Sequence, residues 1–223
     1  MSHLFKEKDK AYIREKFNKE LKGEVRIINF TQEFECEQCW LTREILEILT
    51  TLSDKIKLNV FDFTKDFEQA KIWNINKIPA TLIFGMKEYK VRYFGTPLGY
   101  EFAALLEDII DVSKGETRLS NVTKEKLKSI NKPVHIQVFV TPTCPYCPRA
   151  VRIAHQMAIE NPNITADMIE IEEFPHLANK YQVMAVPKVV INESITFEGA
   201  LPEPYFLEYV MYAANNEKFI SND

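Results

Sequence analysis

The sequence predicts an α/β protein made of two tandem units of like order, each a mixed sheet of about four strands flanked by helices. Three observations carry that reading. Two Cys-x-x-Cys pairs, Cys36/Cys39 and Cys144/Cys147, begin 108 residues apart. Two apolar-Pro steps, Ile78-Pro79 and Val186-Pro187, are also 108 residues apart. In each half the first cysteine precedes its proline by 43 positions. Proline fills roughly one position in twenty, so one coincidence is cheap. Two, with the same local chemistry, indicate an internal duplication.

Each unit reads helix, strand, helix, strand, helix, strand, strand, helix. The leading helices are KEKDKAYIREKFNKELK and TKEKLKSI. The apolar, β-branched runs VRIINF and HIQVFV are the first strands, ending just before the cysteine pairs. Each pair then opens an amphipathic helix, with Trp40, Leu41, Ile45, Leu46 and Ile48 near helical spacing in one and Ala150, Val151, Ala154, Met157 and Ala158 in the other. The second strands are KIKLNVFDF and ADMIEIEEF, followed by the short helices FEQAKIWNI and HLANKYQV. After each proline comes a strand pair, TLIFG with YKVRYFG and KVVIN with ITFEG, and then a closing helix, YEFAALLEDIIDV or PYFLEYVMYAANN. Strand–helix–strand segments cross over right-handedly and give parallel neighbours. The closing strand pairs, joined by a few residues, are antiparallel. The polar stretch SKGETRLSN separates the units, assigned as 1–116 and 117–223.

Composition excludes several classes. With 46% hydrophobic and 27% charged residues the chain of 223 residues reads as a soluble globule. Its net charge of -4 gives no basic field for nucleic acid. No uncharged apolar stretch approaches the ~20 residues that span a bilayer, and the charged N-terminus lacks the apolar segment of a signal peptide. The expectation is a cytoplasmic protein with neither membrane nor nucleic-acid partners. In a reducing compartment cysteines seldom serve as structural disulfides, hyperthermophile cytosol being an exception.

The spacing of the pairs points to redox chemistry. A bond across a loop of ~4 residues stabilises by about 2 kcal/mol, against about 4.7 for ~100 residues. Such a pair is a weak staple, yet it can close and reopen without moving the fold. A helix start favours negative charge and so favours the thiolate, the reactive form. Cys36 and Cys144 are the expected attacking thiols; Cys39 and Cys147, one turn in and more buried, are the expected resolving ones. The competing, non-enzymatic reading is a scaffold or binding module stabilised by a zinc ion held by all four cysteines. Against it, the usual gap between such pairs is about 15–20 residues, whereas 104 intervene here.

Taken together, strand, Cys-x-x-Cys at a helix start, and an Ile/Val-Pro step before antiparallel strands resemble the thioredoxin–glutaredoxin superfamily. CPYC is a glutaredoxin-type sequence. Two such units in tandem resemble the protein disulfide oxidoreductases of thermophilic archaea and bacteria. The resemblance implies two thioredoxin-like units that reduce, form or isomerise protein disulfides, or an electron carrier between a reductase and a peroxidase. It implies cis prolines at Pro79 and Pro187, lying against the disulfides. With Ile78, Val186, Pro145 and Tyr146 these are the expected substrate-binding residues, offering an extended segment a backbone edge. No organic cofactor or metal is implied beyond the redox-active disulfides. No nucleotide-binding glycine motif is present, so electrons come from a separate reductase-like flavoprotein or a small thiol, and a peroxiredoxin is a candidate acceptor. The superfamily's buried aspartate, six residues before the first cysteine, is replaced by Phe30 and Val138. Another carboxylate or water then takes the proton. Glu170 and Glu172 are weighed for this against a solvated strand edge, the favoured reading.

The two pairs differ in charge. Glu37 beside Cys36 opposes a thiolate. In the second unit Pro145 suits the first helical position, Tyr146 is neutral and Arg149 adds positive potential. Cys144 is therefore expected to have the lower thiol pKa, and its disulfide the higher reduction potential. His155, three turns along its helix, is expected to partner a carboxylate or backbone group. His3, His135 and His176 form no metal-ligand spacing. Trp40 is expected to pack, and the aromatic residues of EPYFLEYVMYA to form the apolar face of the last helix.

Overall fold

Strands form where β-branched and aromatic residues bury both faces, and here they join into one sheet. The computed structural model describes residues 4–216, so His3 lies outside the described residues. The first unit comprises α1 (Glu7–Glu20), β1 (Val25–Thr31), α2 (Cys39–Thr50), β2 (Ile56–Asp62), α3 (Phe67–Ile72), β3 (Ala80–Phe84), β4 (Val91–Phe94) and α4 (Tyr100–Lys114). The second comprises α5 (Asn121–Leu127), β5 (Val134–Val140), α6 (Cys147–Glu160), β6 (Ile164–Glu170), α7 (Pro175–Lys180), β7 (Lys188–Ile191), β8 (Ile195–Glu198) and α8 (Glu203–Asn215).

The strand order is β2-β1-β3-β4-β6-β5-β7-β8. Each unit supplies the expected four strands, with β1–β2 and β5–β6 parallel and the closing pairs antiparallel. The addition is a seam: β4 and β6 pair in parallel, Arg92 opposite Asp167 and Tyr93 opposite Met168, so the two sheets are continuous. Apolar clusters cover both faces and cross the seam. One joins Phe17, Leu49, Ile109, Met157 and Phe206 beneath the longer helices. The other joins Phe30, Leu82, Phe94, Phe139 and Ile169 beneath α3 and α7.

Each face of the seam carries a buried polar clasp. On the α3 side, Arg92 Nε and Nη2 donate to Asp167 at 2.6 and 2.7 Å, and His135 Nε2 lies 2.7 Å from the same carboxylate. Burial alone would raise the Asp167 pKa; Arg92 and His135 more than offset it and hold the carboxyl well below the usual range. On the other face, Asp108 of α4 meets Tyr93, Arg152 and His155, the last at 2.6 Å from Nδ1. Burial and the neighbouring Arg152 push His155 down to about 3, so its ring is neutral. Its partner is a carboxylate, as expected.

The connector between the units is tied down. Gly115 takes the left-handed conformation (φ 66) that ends α4, and Ser120 caps α5 by accepting from the Thr123 N–H. The strand expected at 166–174 starts at Ile164 and stops at Glu170, where both carboxylate oxygens accept backbone N–H groups from Glu172 and Glu173 and turn the chain. Trp40 is 64% exposed rather than packed, because it lies opposite the buried face of α2. In α8 only Phe206, of the aromatic residues, reaches the core; Tyr205, Tyr209 and Tyr212 face outward.

Candidate redox sites

Each pair is a formed disulfide, Cys36–Cys39 with Cα atoms 5.4 Å apart and Cys144–Cys147 with 5.5 Å. The helices begin at the second cysteine, not the first. Cys36 and Cys144 stand in the turn before α2 and α6, at the helix ends whose first N–H groups lack helical partners. The expected first-position proline is also displaced: Pro148 fills the first turn of α6, while Pro145 lies in the preceding bend. The expected order of exposure holds, with Cys39 at 1% and Cys147 at 0% more buried than Cys36 and Cys144.

Both prolines follow cis peptide bonds, Ile78-Pro79 and Val186-Pro187. In the second unit the Val186 carbonyl oxygen lies 3.8 Å from Cys144 Sγ. The Cys147 N–H donates to Cys144 Sγ at 3.1 Å, a bond that favours a thiolate there once the pair is reduced. Tyr146, two residues after Cys144, is 70% exposed, and Met184, two residues before Val186, is 89% exposed, while Cys144 itself is 7% exposed.

The first site lies in a recess, and Cys36 there is half-buried, more exposed than Cys144 at 7%. Cys36 lines a recess of about 550 Å³ with Ile78 and Pro79 of its own unit. The opposite wall comes from the second unit and includes Pro142, Glu170, Glu172 and Glu173. With Glu35 and Glu37, every charged residue lining the recess is a glutamate. Glu170 is 3% exposed and so is not on a solvated edge, since β6 is an interior strand. Burial pushes its carboxyl up to about 7, against the two N–H groups it accepts. A buried hydrogen bond from α2, Thr42 Oγ1 to Thr96 Oγ1 at 2.8 Å, continues through the Thr96 N–H to Glu173 Oε1 at 2.6 Å. Local sequence gives no signal for this chain of contacts.

One further buried carboxyl is not singled out by the sequence reading. Glu101 opens α4, whose Tyr100 N–H donates to the Pro142 carbonyl on the loop leading into Cys144. Glu101 is 1% exposed, neither oxygen has a hydrogen-bond partner, and burial pushes it up to about 8. Among the described residues, no cluster of three or more His, Cys, Asp or Glu side chains is arranged to hold a metal. No helix of the described residues is long and apolar enough to cross a membrane.

Known proteins share this fold. The thioredoxin domain family model matches residues 134–211. A protein disulfide oxidoreductase from Aeropyrum pernix is 34% identical with a TM-score of 0.88, covering 94% of this chain and 93% of that one. The N-terminal domain of the Enterococcus faecalis alkylhydroperoxide reductase AhpF, 22% identical, covers 92% of this chain and 99% of that one with a TM-score of 0.85, a likeness of fold. The F component of Staphylococcus aureus alkyl hydroperoxide reductase is 30% identical over 152 residues, 68% of this chain. The chain spans 28% of the length of that relative. With two Cys-x-x-Cys centres on one sheet and identity along nearly all of the Aeropyrum chain, this protein belongs to the protein disulfide oxidoreductase family and is a thiol–disulfide oxidoreductase of thioredoxin fold.

Proposed function

We propose that the second pair is the principal site for protein disulfides and that the first serves smaller or more selected ones. The observation that carries this reading is the placement of Cys144: its sulfur receives the Cys147 N–H at 3.1 Å beside the Val186 carbonyl, and the exposed side chains of Tyr146 and Met184 stand two residues along the chain from Cys144 and Val186. Cys144 attacks a substrate disulfide, one substrate thiolate leaves, and Cys147 attacks Cys144 to release the other. The reverse steps deliver a disulfide to a substrate dithiol. Attack and departure of Cys144 without resolution isomerise. Pro145, Tyr146, Val186 and Pro187 flank the extended substrate segment, as Ile78 and Pro79 do in the first unit. Cys36 attacks and Cys39 resolves there. The units act as 1–116 and 117–223 in a cytoplasmic setting, with no cofactor beyond their disulfides. A separate flavoprotein reductase or a small thiol supplies the electrons.

Insulin reduction under dithiothreitol tests this assignment. Cys144→Ser is expected to remove at least nine-tenths of the turnover, and Cys36→Ser less than half. Equal losses would reject the assignment.

A second reading, supply of electrons to a peroxidase, is favoured by the match to the F component of alkyl hydroperoxide reductase. Peroxide consumption coupled to a peroxiredoxin and a thioredoxin reductase tests it. Turnover well above the insulin rate would make peroxidase supply the main role.

A further inference from the structure

We propose that Glu170, a residue of the second unit, takes and returns the proton of the first unit's dithiol, so that the first redox site is complete only across the seam. This rests on the reading of Cys36 and Cys39 as a working pair. Cys39 is 1% exposed, and its sulfur attacks only as the thiolate, so its proton needs an acceptor inside the protein. The first unit's own strand offers none nearby, because Phe30 stands there fully buried.

The Cys39 sulfur is bonded to that of Cys36, which lines the recess, and Glu170 stands in the opposite wall. A Cβ added at Gly95 would come within 2.7 Å of the Glu170 Cβ, so the glycine is what lets the glutamate approach. The Gly95 N–H donates to the Pro79 carbonyl at 2.9 Å, which fixes that contact against the cis-proline loop lining the recess with Cys36. Each Glu170 oxygen accepts one N–H, from Glu172 at 3.1 Å and from Glu173 at 2.8 Å, so each keeps a lone pair. The other charged groups facing the recess are Glu35 and Glu37 before α2 and Glu172 and Glu173 after β6; Thr96, Leu98, Pro142 and Pro175 add no charge. Of the carboxyls lining the recess Glu170 is the buried one, while Glu173 is half-buried and Glu35, Glu37 and Glu172 are exposed. A buried carboxyl titrating near 7 matches a group that alternates between base and acid at neutral pH.

The cycle balances. The Cys36 thiolate attacks the substrate S–S bond, and the first substrate thiolate leaves and is protonated from solvent. Glu170 carboxylate takes the Cys39 proton. The Cys39 thiolate attacks Cys36 Sγ, the protein disulfide forms, and the second substrate thiolate leaves and takes the proton from Glu170. Two electrons pass to the substrate, and Glu170 returns to its starting state.

The test uses a Cys144→Ser/Cys147→Ser chain, in which only the first pair works, and single turnovers with neutral 4,4′-dithiodipyridine. The first thiopyridone released reports Cys36 attack; the second reports resolution by Cys39. In the parent the second phase should rise with pH through an inflection near 7. Glu170→Gln should slow it at neutral pH on the order of 10²-fold, the low end for a positioned acid–base group, and erase the inflection while the first phase persists. Glu170→Asp should keep the inflection, and Glu172→Gln should leave it in place. An unchanged second phase in Glu170→Gln, or the same loss in Glu172→Gln, would overturn the proposal. Absence of any first-site turnover in the parent would overturn both it and the reading beneath it. If Glu170→Gln does not fold, the redox-difference infrared spectrum of the parent decides. A protonated-carboxyl band that changes on reduction is expected, and a silent carboxyl region overturns the proposal.

Discussion

The two cysteine pairs share a backbone plan and differ in what surrounds it. Cys144 is buried at 7% exposed, with the Cys147 N–H on its sulfur and the Val186 carbonyl close by. Cys36 is half-buried and lines two hollows, a recess whose far wall belongs to the other unit and whose charged residues are all glutamates, and a second that holds Arg43 with Glu33, Asp62 and Asp66. No hydrogen bond to Cys36 Sγ corresponds to that of the Cys147 N–H among the described residues. The repeat fixes where the sulfur atoms stand; the seam fixes how they differ. Identical units joined edge to edge cannot have identical neighbours, because β4 meets β6 while β2 and β8 lie at the two ends of the sheet.

Breaking the seam should therefore give the largest effect, and an unequal one. Arg92 and Asp167 are a buried pair, 8% and 0% exposed. Asp167→Ala strands the guanidinium, and the expected cost is about 3–5 kcal/mol in urea unfolding. Arg92→Met/Asp167→Leu should recover much of it. Below the unfolding midpoint Asp167→Ala should lower first-site turnover more than second-site turnover, since β6 carries the Glu170–Glu173 wall. Equal loss at both sites would break the comparison. Asp167 also sets an acid limit. Its folded pKa lies below the usual value of 3.8, so its stabilisation is present above that pH and is lost as pH falls below it.

Next in size is Glu101, on the turn that abuts the approach to the second site. Its folded pKa is raised from 4.5 to about 8. Between those values the native state keeps a proton that the unfolded chain has released, so stability falls as pH rises through that window. Glu101→Gln should flatten the slope and stabilise the protein at pH 9 on the order of 3 kcal/mol. A slope unchanged by the substitution would show that the carboxyl is not the source.

The thiols themselves sharpen the contrast. Once reduced, Cys144, with its N–H donor, should be the more reactive thiol at neutral pH, ahead of Cys36 beside its glutamates. Alkylation rates against pH in Cys36→Ser and Cys144→Ser compare the two thiols. Equality would remove the electrostatic half of the comparison.

Sequence reveals the parts whose chemistry is local. The cysteine pairs and Ile/Val-Pro steps stand in the same register within each half, so spacing alone aligns them. It does not reveal the seam, because Arg92 and Asp167 lie 75 residues apart and read as ordinary polar positions in short strands. Alternation says which face a strand residue takes, not which strand lies alongside. For that reason Glu170 reads as a solvated edge, although it is covered by Gly95 of the other unit. Glu101 and Asp108 are legible in principle: both fall on the buried stripe of α4 with Leu105 and Val112, where a carboxylate needs a reason.

The smallest expected effect isolates the contact between α2 and the acidic wall. Thr42 Oγ1 meets Thr96 Oγ1 at 2.8 Å in the interior, and the Thr96 N–H holds Glu173. The position 108 residues on is Ala150, buried and without a polar atom on its side chain, so the second site has no counterpart. Thr42→Val keeps the volume and removes one hydroxyl. It should cost about 1 kcal/mol, the typical worth of a neutral hydrogen bond. Freed of its partner, Thr96 holds Glu173 less firmly, and the recess loses definition on the side facing α2. First-site single turnovers should slow severalfold in a chain retaining only Cys36 and Cys39, while a chain retaining only Cys144 and Cys147 should be unaffected. Slowing at the second site as well would mean that Thr42 acts through general stability, and the sites would be less independent than their surroundings indicate.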